Sequence, residues 1–301
     1  MKKILILAGV VLATAVAAAP IRAADPVVPF PGPHIGKVFL AAQTVNADGA
    51  MTNFFAPGST VVFRAYAVDG KTHKLLSKHA VQYFYVNVPG AGKVKLSYTP
   101  KAKTATGLFD WTGSWTVPSS YSVGVVNFRM LIKTRAKRHG AFTQMPVATS
   151  QLTITNTPQQ PPGAPPSPTT DSAASLDVAL YADTVNGTRP AGTTPRPVGC
   201  TQTNVFKRGE QLVPRTWGFD LTTGDVLSND NVQEAHFTVP GVDPITLNWG
   251  AHGATGAKVY FWTNQWQIPT TYPLGDVVIQ IQFTTINGKV GKLSYPITII
   301  P

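Results

Sequence analysis

Two stretches decide the fold: WTGSWTVPSSYSVG at residues 111–124 and WTNQWQIPTTYPLG at residues 262–275. They are one motif written twice. Trp111 recurs as Trp262, Trp115 as Trp266, Pro118 as Pro269, Tyr121 as Tyr272 and Gly124 as Gly275, each 151 positions on. The same offset relates Val88, Pro89 and Gly90 to Val239, Pro240 and Gly241. It also relates Gly58 to Gly209, Arg64 to Arg215, Asp69 to Asp220, Leu76 to Leu227 and Gly140 to Gly291. Nearer the start the offset is 140, with Thr44, Val45 and Asn46 matching Thr184, Val185 and Asn186, so the second copy holds about 11 extra residues near 188–200. A single offset held over most of a domain's length establishes an internal duplication.

Around the motif the chain reads as strands. Runs at 38–45, 60–68, 81–88, 93–98, 108–117, 125–133 and 151–155 are rich in β-branched and aromatic residues and are separated by Gly, Pro, Ser or Lys-rich turns. Seven short strands at this spacing predict a sandwich of two antiparallel sheets. Composition agrees. The 301 residues include 26 Gly and 26 Pro, only 13% are charged, and Glu, a favoured helix former, occurs only as Glu210 and Glu234. Each copy is long enough to bury a sizeable core unaided.

Residues 1–24 read as a secretory signal peptide: Lys2 and Lys3, an apolar run from Ile4 to Ala19, then small residues at Ala23 and Ala24. The run is short for a membrane span. No later segment could span a bilayer, so the mature chain is expected to be periplasmic or secreted. Residues 157–168 carry six prolines in twelve positions, which no sheet or helix interior accepts. The expected organisation is a signal peptide at 1–24, a first sandwich at 25–156, a semi-rigid linker at 157–175 and a second sandwich at 176–301.

The Trp strand followed by Pro-x-x-Tyr-x-x-Gly, at 118–124 and again at 269–275, resembles the immunoglobulin-like and fibronectin type III-like sandwiches of exported bacterial proteins. The resemblance covers both copies. It implies an all-β fold of two tandem immunoglobulin-like sandwiches. It also implies that Tyr121 and Tyr272 close the corner between strands E and F with their hydroxyls on backbone. The inter-sheet cysteine pair of antibody domains is absent. Fold does not carry activity.

No catalytic constellation is present: no Gly-x-Ser-x-Gly elbow, no His-Glu-x-x-His, no Cys-x-x-Cys-His and no P-loop. The chain is therefore read as non-enzymatic, with no cofactor. The one cysteine excludes a disulfide scaffold. Trp111 and Trp115 share a strand face and read as core, the alternative being a platform for sugars or bases. Arg64 and Arg215 are expected to pair locally with an acid such as Asp69 or Asp220 or to snorkel at a sheet edge, the alternative being ligand cations. Cys200 lies at the end of the insertion, and its alternatives are a buried or capping thiol, an intermolecular disulfide, or a metal or redox site with His236 or His252. The glycine-rich segment 248–256 reads as a long turn or a ligand loop.

Charge separates the copies. Residues 25–157 hold 14 Lys and Arg against 4 Asp and Glu, whereas residues 158–301 hold 8 against 10. In an immunoglobulin-like strand order three loops of the first copy share one pole. They carry Lys71, Lys74 and Lys78, then Lys101 and Lys103, then Lys133, Arg135, Lys137 and Arg138, with His73, His79 and His139 nearby. The expected function is that of a non-catalytic binding or accessory protein. Its pole would meet an anionic surface polymer or an acidic protein. No aromatic-interleaved nucleic-acid motif accompanies the cations, so sequence-specific nucleic-acid reading is not expected.

Overall fold

The computed structural model describes residues 32–34, 38–99, 111–144, 150–156, 176–187, 200–252 and 258–301. The expected signal peptide and linker lie outside these residues, as do Lys101 and Lys103. The first copy runs β1 (Gly32–His34), β2 (Val38–Val45), β3 (Phe54–Phe55), β4 (Thr60–Asp69), β5 (Val81–Val88), β6 (Gly92–Lys95), β7 (Ser97–Tyr98), β8 (Trp111–Thr116), β9 (Gly124–Val125), β10 (Arg129–Thr134), β11 (His139–Thr143) and β12 (Thr153–Ile154). The second runs β13 (Val178–Asn186), β14 (Thr201–Gln202), β15 (Val205–Lys207), β16 (Gln211–Asp220), β17 (Val232–Thr238), β18 (Ile245–Thr246), β19 (Asn248–His252), β20 (Val259–Thr263), β21 (Trp266–Gln267), β22 (Gly275–Thr285) and β23 (Val290–Ile300). The fold is all-β, with no α-helix among the described residues.

The first copy's two main sheets are ordered β2-β4-β8-β7 and β1-β11-β10-β5-β6. The second copy repeats them as β14-β13-β16-β20-β19 and β15-β23-β22-β17-β18. Pairing is antiparallel except where β12 meets β3 and β23 meets β15. The repeat extends to detail. The register slips between Lys133 and Thr134 opposite Tyr83 and Val81, and again opposite Val232 and Glu234, 151 positions on. Trp111 Nε1–H donates to the Leu76 carbonyl at 2.9 Å and Trp262 Nε1–H to the Leu227 carbonyl at 2.7 Å. Both Trp pairs are buried, and their indoles face the core. Rings from opposite sheets interlock, Phe84 with Trp111 at 5.3 Å and Trp262 with Phe283 at 5.4 Å.

The corner tyrosines close a different corner from the one the resemblance implies. Tyr121 Oη–H donates to the Pro89 carbonyl at 2.6 Å, and Tyr272 Oη–H to the Pro240 carbonyl at 2.8 Å. Each ring packs edge-on against its Trp partner, at 5.0 Å from Trp115 and 4.9 Å from Trp266. The Val-Pro-Gly and Pro-x-x-Tyr motifs therefore recur together because each hydroxyl ties one turn to the other. The bond joins residues 32 apart rather than a short upstream stretch.

The two copies share one hydrophobic cluster. Every residue of β2 and of β13 is buried, so neither strand has a solvent face. One side of each packs into its own copy and the other meets the partner copy. Phe39 lies 5.2 Å from Phe219, Phe142 lies 6.0 Å from Tyr181, and the Tyr66 hydroxyl donates to the Leu180 carbonyl. Two reciprocal bonds reveal approximate two-fold symmetry. Met51 N–H donates to Asn204 Oδ1 at 2.9 Å, and Gln202 N–H donates to Asn53 Oδ1 at 3.2 Å. Within each copy Gly140 and Gly291 let the opposite sheet approach the start of β2 and β13: a Cβ there would lie 2.7 Å from the Val38 carbonyl oxygen and 2.5 Å from Val178 Cγ1.

Arg215 does not pair with Asp220. Its guanidinium holds Asp183 through two bonds of 2.6 Å, Nε to Oδ1 and Nη2 to Oδ2, with both side chains buried. Cross-strand register sets the partner, because Asp183 faces Arg215 on the neighbouring strand. Arg215 Nη1 also donates to Ser150 Oγ of the first copy at 2.7 Å, and that hydroxyl donates to the Cys200 carbonyl at 2.7 Å. In the first copy Arg64 faces Gln43 instead of an acid and reaches the Gly49 carbonyl.

Two outcomes follow. Removing one partner of a buried bidentate pair strands the other charge, so Asp183→Ala is expected to cost about 3–5 kcal/mol in denaturant unfolding. The shared core predicts one calorimetric unfolding transition for the whole chain, and two resolved transitions would show that the copies fold independently.

Candidate functional site

The basic pole begins with Asp69 at the end of β4. Its Oδ1 accepts the N–H groups of Lys71 at 2.8 Å and Thr72 at 3.1 Å, which shapes the loop entering 70–80. Its Oδ2 receives Arg138 from the β10–β11 hairpin. Arg135 N–H donates to the Ala80 carbonyl at 2.8 Å. These bonds bring together the two described loops that the sequence placed at one pole. The same device recurs in the second copy, where Asp220 accepts Thr222 and Thr223 N–H groups and holds Lys289 Nζ at 2.7 Å. Arg138 and Lys289 are equivalent positions, so Arg138 has a scaffold role at the pole.

Lys71, Lys74, Lys78, Arg135 and Lys137 are exposed, and Lys133 is half-buried on β10. Lys101 and Lys103 remain outside the described residues. The equivalent loops of the second copy place acids at two of these positions, Asp225 for Lys74, which reverses the charge, and Asp230 for His79, both exposed. The backbone adds a sharper contrast. His73 and Lys137 adopt positive φ, 56° and 60°, where the second copy has Gly224 at 83° and Gly288 at 79°. The left-handed region costs a residue with a Cβ roughly 1 kcal/mol relative to glycine. The first copy thus keeps basic side chains in turns where glycine would be relaxed. His73 also faces the second copy, with Nδ1 3.2 Å from Asp177 Oδ1 and its carbonyl accepting Leu176 N–H at 2.9 Å.

Among the described residues no three His, Cys, Asp or Glu side chains come together. His236 lies on β17 and His252 on β19, which belong to different sheets. His236 Nδ1 lies 3.2 Å from Glu234 Oε1, and His252 stacks on Phe261 at 4.1 Å. Burial first, and Arg215 second, push the His252 pKa down, favouring the neutral ring. Cys200 is exposed, with φ of 71°, rather than buried. The expected long turn at 248–256 is in its first part strand β19.

Reading only the loops left out Lys93, Lys95 and Arg129. All three are exposed on the sheet that carries β10. The alternation of β5, with Phe84 and Val86 buried and Tyr83, Tyr85 and Asn87 outward, was the signal that could have found this face.

No family model matches the chain, and no curated protein matches it. Among solved structures, fibronectin(III)-like modules of Clostridium thermocellum CbhA align at 12% identity over 86% of this chain and 93% of theirs, with a TM-score of 0.22. The Bacteroides ovatus mixed-linkage glucan utilization locus protein SGBP-B, solved with a heptasaccharide, aligns at 8% identity over 89% of this chain and 54% of its own, with a TM-score of 0.19. The C-terminal domain of the Streptococcus agalactiae AgI/II polypeptide BspA aligns at 10% identity over 87% of this chain and 100% of its own, with a TM-score of 0.20. At these scores no site residue or ligand transfers.

Asp220 makes the scaffold sensitive to acid. Burial alone would raise its pKa, but the Lys289 hydrogen bond and the Thr222 and Thr223 N–H groups outweigh it and hold the carboxyl below its ordinary value. The folded carboxylate resists a proton that the unfolded chain accepts, so this stability is present above about pH 4 and is lost as pH falls through the folded value. Lys289→Met is expected to flatten the acid limb of thermal midpoint against pH. An unchanged limb would exclude the pair as its source.

Proposed function

We propose that the chain is an exported, non-catalytic binding or accessory protein, periplasmic or secreted after loss of residues 1–24. In this reading two immunoglobulin-like sandwiches, 25–156 and 176–301, are joined by the linker 157–175. The contact surface is the basic pole of the first: Lys71, Lys74, Lys78, Lys101, Lys103, Lys133, Arg135, Lys137 and Arg138. Its partner is an anionic surface polymer or an acidic protein.

The observation that carries this reading is the comparison of equivalent turns. Lys137 stands at a positive φ where the second copy has Gly288. A cation held at a conformational cost, in a turn that folds without it, fits a surface kept for binding. The charge reversal from Lys74 to Asp225 supports the same reading, because the scaffold tolerates either sign. Among the described residues no helix is long and apolar enough to cross a membrane.

Lys137→Gly separates binding from stability. It is expected to raise stability by up to about 1 kcal/mol through relief of the turn. It is also expected to elute from a heparin column at lower salt than the parent. A variant that gains stability without losing retention would remove Lys137 from the contact surface. Combined reversal at Lys71, Lys74, Lys78 and Arg135 is expected to abolish retention at physiological salt.

A further inference from the structure

We infer that the outward face of the β1-β11-β10-β5-β6 sheet is the seat of an acidic polysaccharide, a sugar chain bearing carboxylates. The inference rests on the binding role proposed above and names both the face and the ligand class. Strand register lays the outward side chains in rows. Lys95, Tyr85, Leu131 and Ala141 form one row, and Lys93, Asn87, Arg129 and Thr143 the next. Tyr83, Lys133 and His139 form a third. Lys93, Lys95, Arg129 and His139 are exposed, Tyr83 is 39% exposed, and none of the named positions is acidic.

The second copy is the control. At the equivalent positions it has Pro244 for Lys93, Thr246 for Lys95, Gln280 for Arg129, Thr284 for Lys133 and Val290 for His139. Glu234 and His236 replace Tyr83 and Tyr85. The same sheet forms with a nearly neutral face, so neither the cations nor the tyrosines are required by the fold. Like charges gathered on one face repel, which makes the cluster a cost in the absence of a partner.

The arrangement selects among polyanions. Lys93 Nζ sits 4.8 Å over the Tyr85 ring, and the Tyr83 and Tyr85 rings meet at 5.5 Å with a 37° tilt. One face of Tyr85 is covered and the pair is packed ring to ring, whereas nucleobases stack on open aromatic faces. A carboxylated sugar needs something else. Ammonium and guanidinium groups meet its carboxylates, amide and hydroxyl groups such as Asn87 and Thr143 meet its hydroxyls, and ring edges meet its apolar C–H surface. Neighbours within a row lie one strand spacing apart, about 4.8 Å, and successive rows lie two residues apart along the strands, about 6.7 Å, so the face presents repeated cations to a linear array of charge.

The test measures binding of the full chain to sodium polygalacturonate, with dextran and an oligothymidylate as comparators. The face variant is Lys93→Glu, Lys95→Glu and Arg129→Glu together, with a Gln triple variant beside it in case the Glu form does not fold. The loop variant is Lys74→Glu, Lys78→Glu and Arg135→Glu. The expected result is that wild type binds polygalacturonate and not dextran, that the loop variant loses binding as the proposed function requires, and that the face variant by itself also loses about tenfold or more. A face variant that binds like wild type, with the loss confined to the loop variant, overturns this inference and leaves the proposed function standing. Oligothymidylate bound as tightly as polygalacturonate, and lost with the face variant, overturns the ligand class. No binding of wild type to either polyanion overturns this inference and removes the anionic polymer from the proposed function, leaving the acidic protein as its partner.

Discussion

The structure depends on burying two strands from both sides. β2 and β13 each lose solvent on both faces, although each stands near the edge of its own sheet. An edge strand ordinarily alternates buried and exposed residues. Here the second face of each is covered by the other copy, and the composition follows: Ala41, Ala42, Ala179 and Ala182 keep the strands thin on their two buried faces. Gly140 and Gly291 admit the start of each strand against the opposite sheet. Reciprocal backbone N–H bonds accepted by Asn53 and Asn204 tie the copies together, and the Asp183–Arg215 pair anchors Ser150 across the boundary.

This symmetry gives the protein an internal comparison. Features present in both copies at one offset belong to the scaffold: the Trp bonds, the Tyr hydroxyls on the Pro carbonyls, the bulge in β5 and β17, and an aspartate at the loop entrance holding a cation from the neighbouring hairpin. Features present in one copy alone are free to serve function. The cations of the first copy fall mostly in the second class, and Arg138 in the first. The approximate two-fold also sets the basic loops of one copy beside the start of the other, where His73 meets Asp177.

Much of the architecture was legible because it rests on local rules. Alternation located the strands, glycine and proline the turns, and the constant offset the duplication. The corner tyrosines were recognised as hydroxyl donors, but their acceptor was not, because Pro89 and Tyr121 are brought together only by the folded sheets. Arg215 does pair with an acid, but which one was hidden for the same reason. Asp220 is near in sequence, while Asp183 is opposite in register, and register prevails when a charge is buried beside a neighbouring strand.

The sequence by itself determined the strand content, the repeat and the confinement of positive charge to the first copy. These follow from side-chain chemistry that acts residue by residue. Only the tertiary structure decided that the copies share one core, that His236 and His252 stand in different sheets, and which cations stand on a sheet face rather than on loops. Those outcomes depend on pairing register and on distances between residues far apart in the chain, where the periodicity of a single strand carries no information.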